Sequence, residues 1–112
     1  MSDRGWIGVD LDGTLAEYHG WKGAEHIGKP VQAMVDRVDA WLDANQDVRI
    51  FTARVADDPD GSARGPIERW CLDVFGFLLP ITNVKDYGMV ELWDDRAVCV
   101  ERNTGEILGR NE

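Results

Sequence analysis

The feature that most constrains this chain is an apolar run near its start that ends in two carboxylates. Residues 6–15 read W-I-G-V-D-L-D-G-T-L, and the apolar part predicts a buried strand from Ile7 to Leu11. Because successive side chains of a strand alternate between faces, Asp10 and Asp12 are expected to point to the same side. Two carboxylates that close repel each other strongly in an interior-like dielectric. The pair therefore predicts a bound cation or a shared proton.

The composition is that of one small globular domain. The chain has 112 residues, of which 44% are hydrophobic and 29% are charged, so we expect a single domain over residues 1–112. It has no apolar stretch of the roughly 20 residues that a membrane span needs, and no apolar secretory segment at its N-terminus. We therefore expect a cytoplasmic protein. The net charge of −9 disfavours broad binding to nucleic acids, which are polyanions.

Two cysteines, Cys71 and Cys99, both lie in apolar contexts. A free cysteine in such a context behaves as a small hydrophobic residue, so we predict two reduced thiols in the core. No CxxC motif or cluster of cysteine and histidine occurs in the sequence, and a zinc site is therefore not expected.

Strands and helices alternate along the chain, which predicts an α/β sheet with mostly parallel strands. After the first strand, the predicted elements are a loop or flap over 16–29, a helix from Pro30 to about Ala44, a strand over 48–52, an exposed loop over 56–65, a helix from Pro66 to about Phe75, strands over 81–84 and 90–93, and a C-terminal β-hairpin formed by 97–101 and 107–108. In such sheets ligands bind beyond the carboxyl ends of the strands.

Polar residues follow four of the predicted strands at their carboxyl ends: Asp10 and Asp12, then Thr52, then Lys85, then Asp94 and Asp95. This order resembles the haloacid dehalogenase-like (HAD) hydrolase superfamily. The D-L-D-G-T-L of residues 10–15 is similar to its first motif, and the second, third and fourth motifs are matched by Thr52, by Lys85 and by Asp94-Asp95. The resemblance extends from Trp6 to about Val98. It implies a three-layer Rossmann-like core and a phosphatase that hydrolyses phosphomonoesters with Mg²⁺ as its cofactor.

Physical chemistry gives each acid a role in that reaction. Asp10 would attack phosphorus in line and form an aspartyl-phosphate intermediate. Mg²⁺ would neutralise charge between carboxylate and phosphate, held by Asp10 and by one or both of Asp94 and Asp95. The backbone carbonyl of Asp12 is the further metal ligand that the resemblance implies. The Asp12 side chain is then expected to act as general acid and later as general base.

The phosphate is expected to be bound by the Thr52 hydroxyl, by backbone N–H groups near Gly13 and by the Lys85 ammonium. The predicted phosphate- and substrate-binding residues are Gly13, Thr14, Thr52, Ala53, Arg54 and Lys85, and Lys85 is also predicted to be catalytic. For Arg54, an ion pair with Asp57 or Asp58 is an equally open interpretation. His19 and His26 are interpreted as surface residues. Trp21 could stack on a ring of the substrate or pack the flap down, and packing is the preferred interpretation.

Both loops that precede the helices are too short for a cap domain, so the chain resembles minimal, capless members with an open site. The segment from Lys85 to Val90 is too short for a helical crossover. One face of the sheet is therefore expected to be thinly covered, which favours a homodimer. A calcium loop is not expected, because the sixth and twelfth positions from Asp10 hold Leu15 and Trp21 instead of Gly and Glu.

Small phosphomonoesters, such as nucleotides or sugar phosphates, are the first expectation for the substrate. A phosphatase acting on nucleic-acid ends is an alternative that the net charge disfavours. A second class of function is a phospho-acceptor or binding module with little turnover, similar to response-regulator receivers. A third is an interaction protein that retains the site as a relic, and the presence of all the site residues argues against it.

Overall fold

A four-stranded, all-parallel sheet forms the centre of the molecule in the computed structural model, which describes residues 5–109. Its strands lie in the order β3-β2-β1-β4 and have the bounds β1 (Trp6–Asp10), β2 (Asp47–Phe51), β3 (Ile81–Thr82) and β4 (Met89–Trp93). Helix α1 (Gln32–Asp43) connects β1 to β2, and helix α2 (Arg64–Phe75) connects β2 to β3. The predicted α/β class and parallel sheet are confirmed. Neither helix is long and apolar enough to cross a membrane.

Alternate residues of β1 and β2 form the floor of the core. Ile7 and Val9 lie beside Val48 and Ile50 in the register of the two strands, and all four are buried. Both helices add side chains to the same cluster, which contains Met34, Val35 and Val38 from α1 and Ile67 and Cys71 from α2. Both helices therefore pack on one face of the sheet, as two right-handed crossovers in the same direction require.

The opposite face is covered differently. Trp6 points to this side and is only 2% exposed. The Arg49 guanidinium lies 4.6 Å from its ring centroid, and its indole Nε1 donates to Asp86 Oδ1 at 2.9 Å. A short segment before β4 thus shields this face, and no helix lies between β3 and β4, as the length of the segment predicted. Over residues 5–109 the fold has two layers, and the prediction of three is wrong for this part of the chain.

Tertiary contacts set the helix starts. Helix α1 begins at Gln32, two residues after the predicted start, because Val31 stays extended and donates its N–H to the Leu15 carbonyl at 2.7 Å. Helix α2 begins at Arg64, two residues before the predicted start. There the Asp58 carboxylate accepts the N–H groups of Ala63 and Arg64 at 2.9 and 3.0 Å and so caps the helix.

The predicted C-terminal hairpin is reduced to one antiparallel bridge between Val100 and Ile107. The turn between them contains Asn103 and Gly105, both in the left-handed region with φ of 73° and 79°. Neither arm forms a strand within the part of the chain that the structure describes. Cys99 is exposed in this segment, so its predicted place in the core is wrong, whereas Cys71 is buried as predicted.

Candidate functional site

Three carboxylates meet at the carboxyl edge of the sheet. Asp10 ends β1, and Asp94 and Asp95 follow β4, which pairs with β1 in parallel. One oxygen of each carboxylate lies within 4.8 Å of the others. Neighbouring parallel strands end at the same edge, and the topology therefore brings these acids together from distant parts of the sequence.

Gly13 and Thr14 hold this acid cluster together. The Thr14 hydroxyl lies 3.1 Å from Asp95 Oδ1 and 3.4 Å from Asp10 Oδ2, and it accepts the Asp95 N–H at 2.9 Å. A Cβ at Gly13, where φ is +90°, would lie 2.5 Å from the Asp95 carboxylate, so this position needs glycine. The Gly13 N–H donates to the Ala16 carbonyl at 2.7 Å. It is therefore already used by the backbone, although we expected it to bind phosphate.

One acid of this cluster, Asp10, has a raised pKa. The pKa of Asp10 is raised from 3.8 to about 7, first by burial and then by the neighbouring charges of Asp94, Asp95 and Asp12 and a hydrogen bond with Asp95. Several carboxylate oxygens in so small a space form the kind of ligand set that a hard divalent cation prefers. These three carboxylates could therefore hold a metal ion.

Asp12 forms an ion pair with Arg54. Arg54 Nε donates to Asp12 Oδ2 at 2.7 Å and Nη2 donates to Oδ1 at 2.8 Å, a bidentate geometry that fixes the plane of the carboxylate. The Arg54 side chain is only 6% exposed and the Asp12 side chain 22%. Of the partners considered from the sequence, Asp57 is exposed and Asp58 caps α2.

Arg54 also binds the flap, which is the segment 16–29 and contains no helix or strand. The guanidinium donates to the carbonyls of Ala24 at 3.3 Å and His26 at 3.0 Å. At the base of the flap, the Glu17 N–H donates to the Lys29 carbonyl at 2.8 Å. The flap is therefore held to the edge of the sheet at its base and near its middle.

The flap and the strand ends enclose a cavity of about 480 Å³. Six of its lining residues belong to the predicted site: Asp10, Asp12, Thr52, Ala53, Arg54 and Asp94. The other four are Tyr18, Trp21, Phe51 and Arg96, which the sequence analysis did not assign to the site. Trp21 is 61% exposed and contacts the Arg54 guanidinium, so it packs against the protein on one side only. The sequence signal that could have identified Tyr18 and Trp21 is the presence of two aromatic residues in the loop after the D-x-D motif.

Thr52 and Lys85 have different environments. Thr52 is 2% exposed, lines the cavity and accepts the Arg54 N–H at its hydroxyl at 3.2 Å. Lys85 is exposed and does not line this cavity, although it shares a neighbouring surface hollow with Asp94. Strand β3 ends at Thr82, three residues before Lys85, and the Thr82 hydroxyl accepts the Val84 N–H at 3.1 Å in the turn between them.

No protein-family model matches the chain, and no curated protein matches it at a significant level. A solved structure of a conserved protein from Bacteroides thetaiotaomicron has a similar fold, with a TM-score of 0.63 and 19% sequence identity. The similarity covers 86% of this chain and 79% of that one. At this identity the likeness shows a shared fold and nothing further.

Proposed function

We propose that this protein is a Mg²⁺-dependent phosphatase of the HAD-like type that hydrolyses phosphomonoesters, with Asp10 as its nucleophile. The observation that carries the proposal is the cluster of Asp10, Asp94 and Asp95 beside a cavity that also contains Asp12. Burial and the neighbouring acids raise the pKa of Asp10, so this arrangement is costly to maintain, and a phosphoryl-transfer site is a reason to maintain it.

Asp10, Asp94 and Asp95 would hold the cation, together with the backbone carbonyl of Asp12. When bound, Mg²⁺ supplies the positive charge that lets a carboxylate approach an anionic phosphate. Thr14 positions two of these acids, because its hydroxyl contacts both Asp10 and Asp95.

In the first step an Asp10 oxygen forms a bond to phosphorus, the bond from phosphorus to the leaving oxygen breaks, and Asp12 donates a proton to that oxygen. In the second step a water oxygen attacks the same phosphorus while Asp12 takes a proton from the water. The bond between Asp10 and phosphorus then breaks and releases inorganic phosphate. Asp12 ends protonated, ready to donate again.

Asp12 can serve this role only when its pairing with Arg54 loosens. Arg54 holds both Asp12 oxygens in the structure, and the entry of a phosphomonoester offers the guanidinium a second anion. The Thr52 hydroxyl and Arg96 are the other groups of the cavity that would contact the phosphate. Lys85 would approach it from the adjoining hollow that contains Asp94.

The alternative is a phospho-acceptor with little turnover. Asp12 lines the same cavity as Asp10, and an acid-base group beside the nucleophile favours hydrolysis of the intermediate. The net charge of −9 favours small substrates over nucleic-acid ends.

The test is the hydrolysis of p-nitrophenyl phosphate with and without Mg²⁺ by the wild type and by Asp10→Asn. We expect activity that requires the metal and falls by at least about 1,000-fold in the variant, since a lost nucleophile has effects of this order. Asp57→Asn, at an exposed acid outside the cavity, is the matched control and should retain wild-type activity.

Activity that survives in Asp10→Asn would rule out Asp10 as the nucleophile. A wild-type protein that accumulates phosphate on Asp10 without releasing it would support the phospho-acceptor. Mass spectrometry after brief exposure to acetyl phosphate distinguishes that case from turnover.

A further inference from the structure

The cavity beside the acid cluster has an aromatic side that phosphoryl transfer itself does not use. Tyr18 and Trp21 come from the flap, and Phe51 is the last residue of β2. A phosphate group alone would leave most of the 480 Å³ empty, and this volume lies in the range of small-molecule sites. The part of the substrate beyond the phosphate is therefore expected to contact aromatic rings.

Trp21 is the residue that points most directly to a ligand. Its ring centroid lies 4.9 Å from Cζ of Arg54, and 61% of the residue is exposed. Arg54 also donates to two flap carbonyls, so the ring rests against a group that the flap itself holds. A large ring that is fixed on one side and open to the cavity is suited to stack on another flat ring.

We infer that the substrate is a phosphomonoester whose leaving alcohol carries a flat aromatic ring, which stacks on Trp21 with Tyr18 nearby. This inference rests on the proposed phosphatase activity. A nucleobase and an aryl group share this chemistry, and the net charge of −9 favours a small ester of either kind over a polynucleotide.

The experiment compares kcat/KM for adenosine 5′-monophosphate and ribose 5-phosphate, which have the same primary alkoxide as leaving group and differ in the base. We expect the wild type to prefer the nucleotide by more than about tenfold. Trp21→Ala should reduce this preference by roughly 5- to 140-fold, because stacking contributes about 1–3 kcal/mol per base. Trp21→Phe should restore part of it.

Tyr87→Ala is the matched control, because Tyr87 is fully exposed and lies outside the cavity. Its preference should equal that of the wild type. Phenyl phosphate tests the second source of the ring: dependence on Trp21 for phenyl phosphate alone assigns an aryl substrate, and dependence for the nucleotide alone assigns a nucleobase. Both results support the inference.

Calorimetric binding separates this inference from the phosphatase proposal. Adenosine 5′-monophosphate is titrated with Mg²⁺ into Asp10→Asn and into Asp10→Asn/Trp21→Ala. Affinity that depends on Trp21 supports the aromatic subsite even if the wild type hydrolyses nothing. Equal use of nucleotide and ribose 5-phosphate, together with hydrolysis of phenyl phosphate and binding of the nucleotide that do not depend on Trp21, overturns the inference and leaves a measured phosphatase activity intact.

Discussion

At the scale of single residues, the Thr14 hydroxyl connects the acids of two strands. It contacts Asp10 and Asp95 and accepts the Asp95 N–H. We predict that Thr14→Val lowers the affinity for Mg²⁺ by about 10- to 100-fold, because the acids lose the group that orients them. Thr14→Ser keeps the hydroxyl and should bind as the wild type does. Isothermal titration with MgCl₂ measures both, and wild-type affinity in the valine variant would contradict the role assigned to Thr14.

The sequence predicted the place of Asp10 more fully than the roles of its neighbours. Asp10 and Asp12 line one cavity, as the D-x-D spacing predicted, although β1 ends at Asp10 and Asp12 lies in the turn that follows. The function of Gly13 and Thr14 depends on Asp95, which is 81 positions from Thr14. A contact between residues so far apart leaves no local sequence pattern, and we therefore assigned both Gly13 and Thr14 to phosphate binding.

At the scale of elements, Arg54 holds the flap to the end of β2. We predict that Arg54→Gln lowers the free energy of unfolding by about 2 kcal/mol, because Asp12 and two flap carbonyls lose partly buried donors. The corresponding fall in Tm is on the order of 10 °C. Thermal denaturation measures it, and limited proteolysis should cut faster within residues 16–29.

Arg69→Gln provides the matched control for this prediction. It breaks the exposed pair between Arg69 and Glu25, whose side chains are 63% and 80% exposed. Solvent screens such a pair, and its loss should cost less than about 1 kcal/mol. Equal effects of the two variants would show that Arg54 does not hold the flap.

The apolar spacing of α1 and α2 predicted where the helices lie, and tertiary contacts decided where they begin. Val31 is held extended by the Leu15 carbonyl, and Arg64 is capped by Asp58. Both partners lie outside the helix that they limit. A pattern of apolar residues reports the buried face of a helix and contains no record of such contacts.

At the scale of the whole molecule, the acid cluster links stability to pH. The pKa of Asp10 is about 7 in the folded protein, whereas its ordinary value, which applies to the unfolded chain, is 3.8. Between these two pH values the folded state therefore binds more protons than the unfolded state. The contribution of Asp10 to stability is therefore present below about pH 4 and lost as pH rises through 7. We predict that, with EDTA, the wild type loses about 1–3 kcal/mol relative to Asp10→Asn between pH 4 and pH 8, after allowance for solvent screening.

Chemical denaturation at the two pH values measures this difference. Adding Mg²⁺ at pH 8 should restore the stability of the wild type and leave that of Asp10→Asn much less changed, because a cation that binds the folded state stabilises it. If the difference in unfolding free energy between the wild type and Asp10→Asn does not change with pH, ionisation of Asp10 does not destabilise the folded state.

The sequence by itself determined the α/β class, the parallel sheet and the strand ends from which the site is built, because these follow from local alternation and from the order of the elements. Tertiary structure decided that both helices pack on one face, that Arg54 pairs with Asp12, and that Trp21 lines the cavity. Each of these depends on contacts between residues far apart in the chain. Such contacts leave no period or spacing in the sequence, and only the folded molecule shows them.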